Sequence, residues 1–226
     1  MRRLLHMMAV LVCAGGFLQR AVAGEVHGHI LINKTLTKKR LALPDYQLRG
    51  ASPAPAAQAT PVDEFSRLVV YLEGPPGVTE PPVTAKLAQR GTRFVPEILV
   101  IPVGSVVSFP NDDPVFHNVF SLSKAKQFDL GYYPSGETRT VKFDKVGVVQ
   151  VYCHIHRDMN AAILVVPNRS YLQPGKDGVY TLPDIPAGTQ YVVVWHKSAG
   201  FFRKKIEVPA TGSLEVSFTI PVPAME

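Results

Sequence analysis

The chain has 226 residues, 46% of them hydrophobic and 9% aromatic, with a formal net charge of +6. That length and apolar content can bury a core in one or two domains, which excludes an intrinsically disordered protein. The charge is too mild to make nucleic acid the expected partner, and the short run Lys38-Lys39-Arg40 reads as a solvated face.

The first 23 residues read as an export signal. Arg2 and Arg3 precede a mostly apolar stretch from Leu4 to Phe17, and Ala21-Val22-Ala23 makes a small-x-small cleavage site. The apolar run is shorter than the roughly 20 residues a spanning helix needs, and no later segment is long and apolar enough to cross a membrane. Val12 before Cys13 argues against a lipoprotein, where a small residue would be expected. The mature protein is therefore expected to start near Gly24, to be periplasmic, and to have no membrane span. Arg2, Arg3 and Arg20 leave with the signal, so 21 of the 24 basic residues remain against 18 acidic ones. Cys13 leaves too. Cys153 is then a lone cysteine in a compartment where cysteines normally pair, and a disulfide within the chain is excluded.

Past the signal the expected class is all-β. In chain order the candidate strands are "VHGHILI" (26–32), "LVVYLEG" (68–74), "ILVIPVGSVVSF" (98–109), "RTVKFDKVGVVQVYC" (139–153), "AAILVV" (161–166) and "QYVVVW" (190–195). They are β-branched and apolar, bounded by Gly, Pro, Asn and Asp, and no stretch has convincing helical periodicity. Such spacing points to sandwiches or barrels. The Ala/Pro-rich "LALPDYQLRGASPAPAAQATP" (41–61) reads instead as a long loop or linker.

The densest chemistry lies in "VYCHIHRDM" (151–159). Alternation puts Val149, Val151 and Cys153 on one inward face, with the cysteine where the strand ends. His156 and Met159 follow three and six positions on and can fold back over that point. The third nitrogen donor is expected from "FPNDDPVFHNVF" (109–120), where His117 follows a turn-forming Asn-Asp-Asp-Pro. One thiolate, two imidazoles and a thioether form a soft set suited to a single type 1 copper ion. Zinc fits less well, because structural zinc sites gather more Cys or His and rarely use thioether. Taken singly, a buried Cys or a lone His would read as structural. Four such donors in this order read otherwise.

From Thr84 to Asn168 the chain resembles a cupredoxin. It follows that family's motif order in "RFVPEILVIPVGSVVSFPN", "FHNVF" and "FDLGYYPSGETRTVKFDKVGVVQVYCHIHRDM". The Cys-x-x-His-x-x-Met spacing is similar to the short amicyanin-type ligand loop. The resemblance implies a Greek-key β-sandwich with His117, Cys153, His156 and Met159 as copper ligands. It also implies that Asn118 ties the two ligand loops together. His154 departs from the amicyanin pattern. A His beside the copper Cys resembles multicopper oxidases, but the histidines left are His27, His29, His154 and His196, too few for an oxidase made by this chain alone. His154 reads as a surface residue, His27 and His29 as the solvent face of a strand, and His196 in "VVVWHKSAG" as having the same status.

The tail "KDGVYTLPDIPAGTQYVVVWHKSAGFFRKKIEV" (176–208) resembles a carboxypeptidase regulatory-like, transthyretin-like β-sandwich. That family's opening strands are matched here by 26–32 and 68–74, which implies a discontinuous second sandwich with the cupredoxin inserted into it. The expected division is 1–23 signal, 24–75 N-terminal strands and loop joining the second sandwich, 76–167 cupredoxin, and 168–226 the rest of the second sandwich. There is no Ser-His-Asp arrangement with supporting sequence, no nucleotide loop and no hydrolytic carboxylate pair, so no enzyme is expected. The favoured function is a one-electron carrier docking with a periplasmic c-type cytochrome or dehydrogenase. The alternative is periplasmic copper binding and delivery.

Overall fold

The computed structural model describes residues 23–37, 63–74 and 82–221; residues 1–22 of the expected signal and the Ala/Pro-rich segment 41–61 lie outside the described residues. Among the described residues the secondary structure is β throughout, apart from one 3-10 turn at Phe65–Arg67. No described helix is long and apolar enough to cross a membrane.

Among the described residues four larger sheets and a two-stranded one, Ala88–Gln89 with Phe94–Val95, carry three apolar cores. In the first sheet, Ala23–Ile32 pairs antiparallel with Val179–Pro186 and parallel with Ser213–Glu215 and Phe218–Ile220. The second runs Tyr171–Leu172, Leu68–Glu73, Gly188–His196, Gly200–Val208, all antiparallel. Gly28 is required where the first sheet closes, because a Cβ there would strike the Val216 carbonyl. The third sheet has the order Ile98–Pro102, Asn160–Val166, Gly147–Tyr152, His117–Ser123, Lys126–Tyr133. The fourth sets Val106–Pro110 between Thr138–Lys142 and Thr84–Lys86.

Two long apolar runs divide differently from their appearance in sequence. "ILVIPVGSVVSF" turns at Gly104, whose φ of 87° favours glycine, and becomes strands in two different sheets. "RTVKFDKVGVVQVYC" breaks after Lys142 in the same way, restarting at Gly147. Each break lets one run face its own other half across a core.

Three of the remaining apolar runs are strands buried on both faces. In Leu68–Glu73, Leu68, Val70 and Leu72 enter the core between the first two sheets, while Val69 and Tyr71 face the third sheet. Gly188–His196 does the same, with Val192 and Val194 on one side and Val193 and Trp195 on the other. Asn160–Val166 sends Ala161, Ile163 and Val165 into the core between the third and fourth sheets, and Ala162, Leu164 and Val166 back toward Val69 and Trp195. Period-2 geometry therefore explains why these runs lack polar alternation: neither face meets water. At one rim of this middle layer Lys197 Nζ reaches Glu97 Oε1 at 2.7 Å and Asn160 Oδ1 at 3.2 Å, and Arg67 Nη2 reaches Glu97 at 2.9 Å. Burial raises the Glu97 carboxyl, but these cations outweigh it and hold it below the usual carboxylate range.

Candidate metal centre

The centre forms at one end of the third sheet, where two neighbouring strands stop or start. His117 is the first residue of His117–Ser123, and Cys153 follows directly on Gly147–Tyr152. The segment before His117 is a built turn: Asp113 N–H donates to Asn111 Oδ1, and Asn111 Nδ2 donates to the carbonyls of Val115 and Tyr133. The segment after Cys153 is closed by its own backbone, with Cys153 N–H donating to Met159 C=O at 3.3 Å and Met159 N–H to His156 C=O at 2.9 Å.

These two turns bring three donors together. Cys153 Sγ lies 3.9 Å from His117 Nδ1 and 3.8 Å from His156 Nδ1, and all three ligand atoms fall within 4.8 Å of one another. A sulfur and a nitrogen bound at 120° to one ion, at ~2.3 and ~2.0 Å, stand about 3.7 Å apart, so the spacing fits a shared metal. His117 and Met159 are fully enclosed and Cys153 nearly so, while His156 is half-buried. Met159 packs in the same apolar cluster as Cys153, Val149 and Val151. Beside the site, Phe116 and Ile155 are 57% and 51% exposed, each next in sequence to a histidine of the centre.

The outer contacts are less legible in the sequence. His117 Nε2 lies 2.8 Å from Asp113 Oδ2, and the same carboxylate accepts N–H groups from Gly91 at 2.6 Å and Thr92 at 2.8 Å. Burial raises the Asp113 carboxyl; the hydrogen bonds from Thr92, His117 and Gly91 outweigh it and leave it below its ordinary value. Asp113 reads in sequence only as a turn former, and its four-residue offset from His117 is the one signal that could have found it. Behind it, Gln89 Nε2 donates to the buried Tyr133 hydroxyl, which donates to Phe109 C=O at 3.0 Å. Burial pushes the Tyr133 hydroxyl well above its usual range.

Asn118 does not tie the two ligand turns together. Its Nδ2 donates to Asp129 Oδ1 at 2.7 Å, on the adjacent strand, and its Oδ1 has no hydrogen-bond partner among the described residues. The pairing of these two strands shifts register between Asn118 and Phe120. His154 points away from the centre, stacked on Phe120 with ring centroids 3.9 Å apart and planes 5° from parallel. His27 and His29 lie along a face with Glu25 and Glu215, and among the described residues they join no convergent group of donors. His196, expected on a solvent-facing strand, is instead fully buried in the other sandwich, because both faces of Gly188–His196 are covered. Its Nδ1 accepts N–H groups from Ser198 and Ala199, and its Nε2 lies 3.1 Å from Glu64 Oε2 without hydrogen-bond alignment.

No family model matches the chain, and no curated protein matches it. Solved structures do. The purple cupredoxin of Nitrosopumilus maritimus is similar at 27% identity over 36% of this chain and 98% of its own, with a TM-score of 0.33. Amicyanin from Paracoccus versutus is similar at 16% identity over 38% of this chain and 85% of its own, with a TM-score of 0.34. The copper-containing nitrite reductase of Thermus scotoductus is similar at 26% identity over 47% of this chain but only 27% of its own length, with a TM-score of 0.34.

Proposed function

We propose that this chain is an exported one-electron carrier that holds one copper ion among His117, Cys153, His156 and Met159. The observation that carries the reading is the convergence of the free Cys153 thiol with two imidazole nitrogens at a nearly dry strand end. The donor set is soft and low in coordination number, which suits copper better than zinc, calcium or magnesium. Bound there, copper would supply one-electron exchange between its two oxidation states. The chain's own contribution is to keep that geometry fixed. His117 and Cys153 are anchored by the ends of neighbouring strands, and the turn between Cys153 and Met159 is closed by backbone hydrogen bonds. A cage that does not rearrange has little to reorganise when charge changes. His156 and the exposed Phe116 and Ile155 would meet a periplasmic c-type cytochrome or dehydrogenase through the small, transient contact typical of redox encounters.

The same reading divides the chain at 1–23, 24–75, 76–167 and 168–226, with the copper-binding sandwich inserted into a carboxypeptidase regulatory-like one. Its support is that residues 23–32 and 68–73 pair with strands from 171–220 and enclose a separate core. The test of the carrier role is copper content through repeated reduction and reoxidation beside an apo copper-acceptor protein. Retention in both states is expected. Substantial transfer to the acceptor on reduction would replace the carrier with a copper-delivery protein.

A further inference from the structure

We infer that Asp113 is a positioning residue that fixes the tautomer of His117 and raises its electron donation to the centre, favouring the more oxidised state of a metal held there. The inference rests on the copper reading. Its basis is a line of contacts with one chemical sense. The carboxylate is nearly buried and receives only donors: Gly91 N–H on Oδ1, Thr92 N–H and the His117 ring on Oδ2. A carboxylate so placed is ionised, and its partner nitrogen must carry the proton. His117 Nε2 therefore holds the hydrogen, and Nδ1 turns an unprotonated lone pair toward Cys153 Sγ.

The carboxylate is itself held rigidly. Gly91 and Thr92 both take left-handed backbone conformations, with φ of 60° and 55°, which aim their successive N–H groups at Asp113. Thr92 is not a glycine, so this turn is strained and is kept in place by what it binds. A fixed anion behind a metal-binding imidazole increases the ring's basicity, and partners of this kind typically account for 10–100-fold in metal affinity. A negative charge stabilises the doubly charged ion more than the singly charged one. Removing it should weaken Cu(II) binding preferentially and raise the reduction potential.

A purely structural clamp on the 90–93 turn would make a different prediction, which separates the two roles. Asp113→Asn keeps the size and one acceptor but removes the charge, and Asp113→Glu restores the charge. In the copper-loaded protein, Asn is expected to cost about tenfold in Cu(II) affinity relative to Cu(I), an upward shift of about 59 mV in one-electron potential, with Glu moving part of the way back. In the apo protein, nitrogen NMR of His117 is expected to show a protonated Nε2 that exchanges slowly with water. A folded, coloured Asn variant with the wild-type potential would overturn the inference and leave only the clamp. If Asn does not fold, Asp113→Ser, which also removes the charge, is read for the same shift in potential; in either case a wild-type apo His117 protonated at Nδ1 overturns the inference. A wild type that takes up no coloured copper sinks the copper reading alone, and the apo spectrum still reports on the Asp113–His117 contact.

Discussion

Each sandwich buries one histidine against one carboxylate, and the two pairs do opposite things. His117 faces Asp113 through Nε2, and its Nδ1 looks at a thiol and a second imidazole. His196 faces Glu64 through Nε2, and its Nδ1 is already occupied by the Ser198 and Ala199 N–H groups. Both rings are buried beside a carboxylate, but only His117 is hydrogen-bonded to its own, and the lone pair on the second nitrogen differs. A buried histidine is therefore a candidate ligand only when its second nitrogen is left without a backbone donor and other soft donors converge on it.

The largest expected effect breaks this comparison directly. Cys153→Ser and His117→Ala should abolish coloured copper binding, while His196→Ala should leave it intact; loss of colour in the His196 variant would erase the distinction. Next in size are the cores. Trp195→Ala, in the layer shared by the two sandwiches, should cost about 3–5 kcal/mol in denaturant unfolding of the apo protein. Removing residues 84–166 altogether would bare Val69, Tyr71, Val193 and Trp195, so the remainder should aggregate unless those positions are made polar.

The His196 pair should also be legible in the pH dependence of stability. Burial lowers the affinity of His196 for a second proton, and Glu64 only partly offsets this. That proton would have to sit on Nδ1, against two N–H donors. A basic group with a depressed folded pKa binds more protons when unfolded, so stability is full above the ordinary imidazole value of ~6.5 and falls as pH drops below it, by at most about 1.4 kcal/mol per pH unit. His196→Gln should flatten that part of the curve; an unchanged slope would assign the acid loss elsewhere. The smallest effect is at the rim. Lys197→Met breaks contacts to Glu97 and Asn160, and since Glu97 is about half exposed it should cost only about 0.2–1 kcal/mol.

The donors of the centre were legible in the sequence because they are rare residue types at short, fixed spacing, and alternation alone puts Cys153 on the inner face. Asp113 was not, since "NDDP" is sufficient as a turn signal and nothing local shows which carboxylate faces inward. Asn118 was misread for a related reason. Its partner lies on the neighbouring strand, where the pairing shifts register, and pairing register between strands is not written in either strand alone. The apolar runs announced strands, yet which sheets stack on which depends on both faces of "LVVYL", "AAILVV" and "YVVVW" finding partners far away in the chain. The breaks at Gly104 and Gly147 had a visible signal in the glycines themselves.

A copper carrier requires that His117, Cys153 and His156 bind one ion together. Titrating the purified apo protein with Cu(II), while recording optical and paramagnetic spectra, tests this most directly. One equivalent should give a single intensely coloured centre from thiolate-to-copper charge transfer, absent in Cys153→Ser. Stoichiometric copper uptake without colour, or colour that survives in Cys153→Ser, would contradict it.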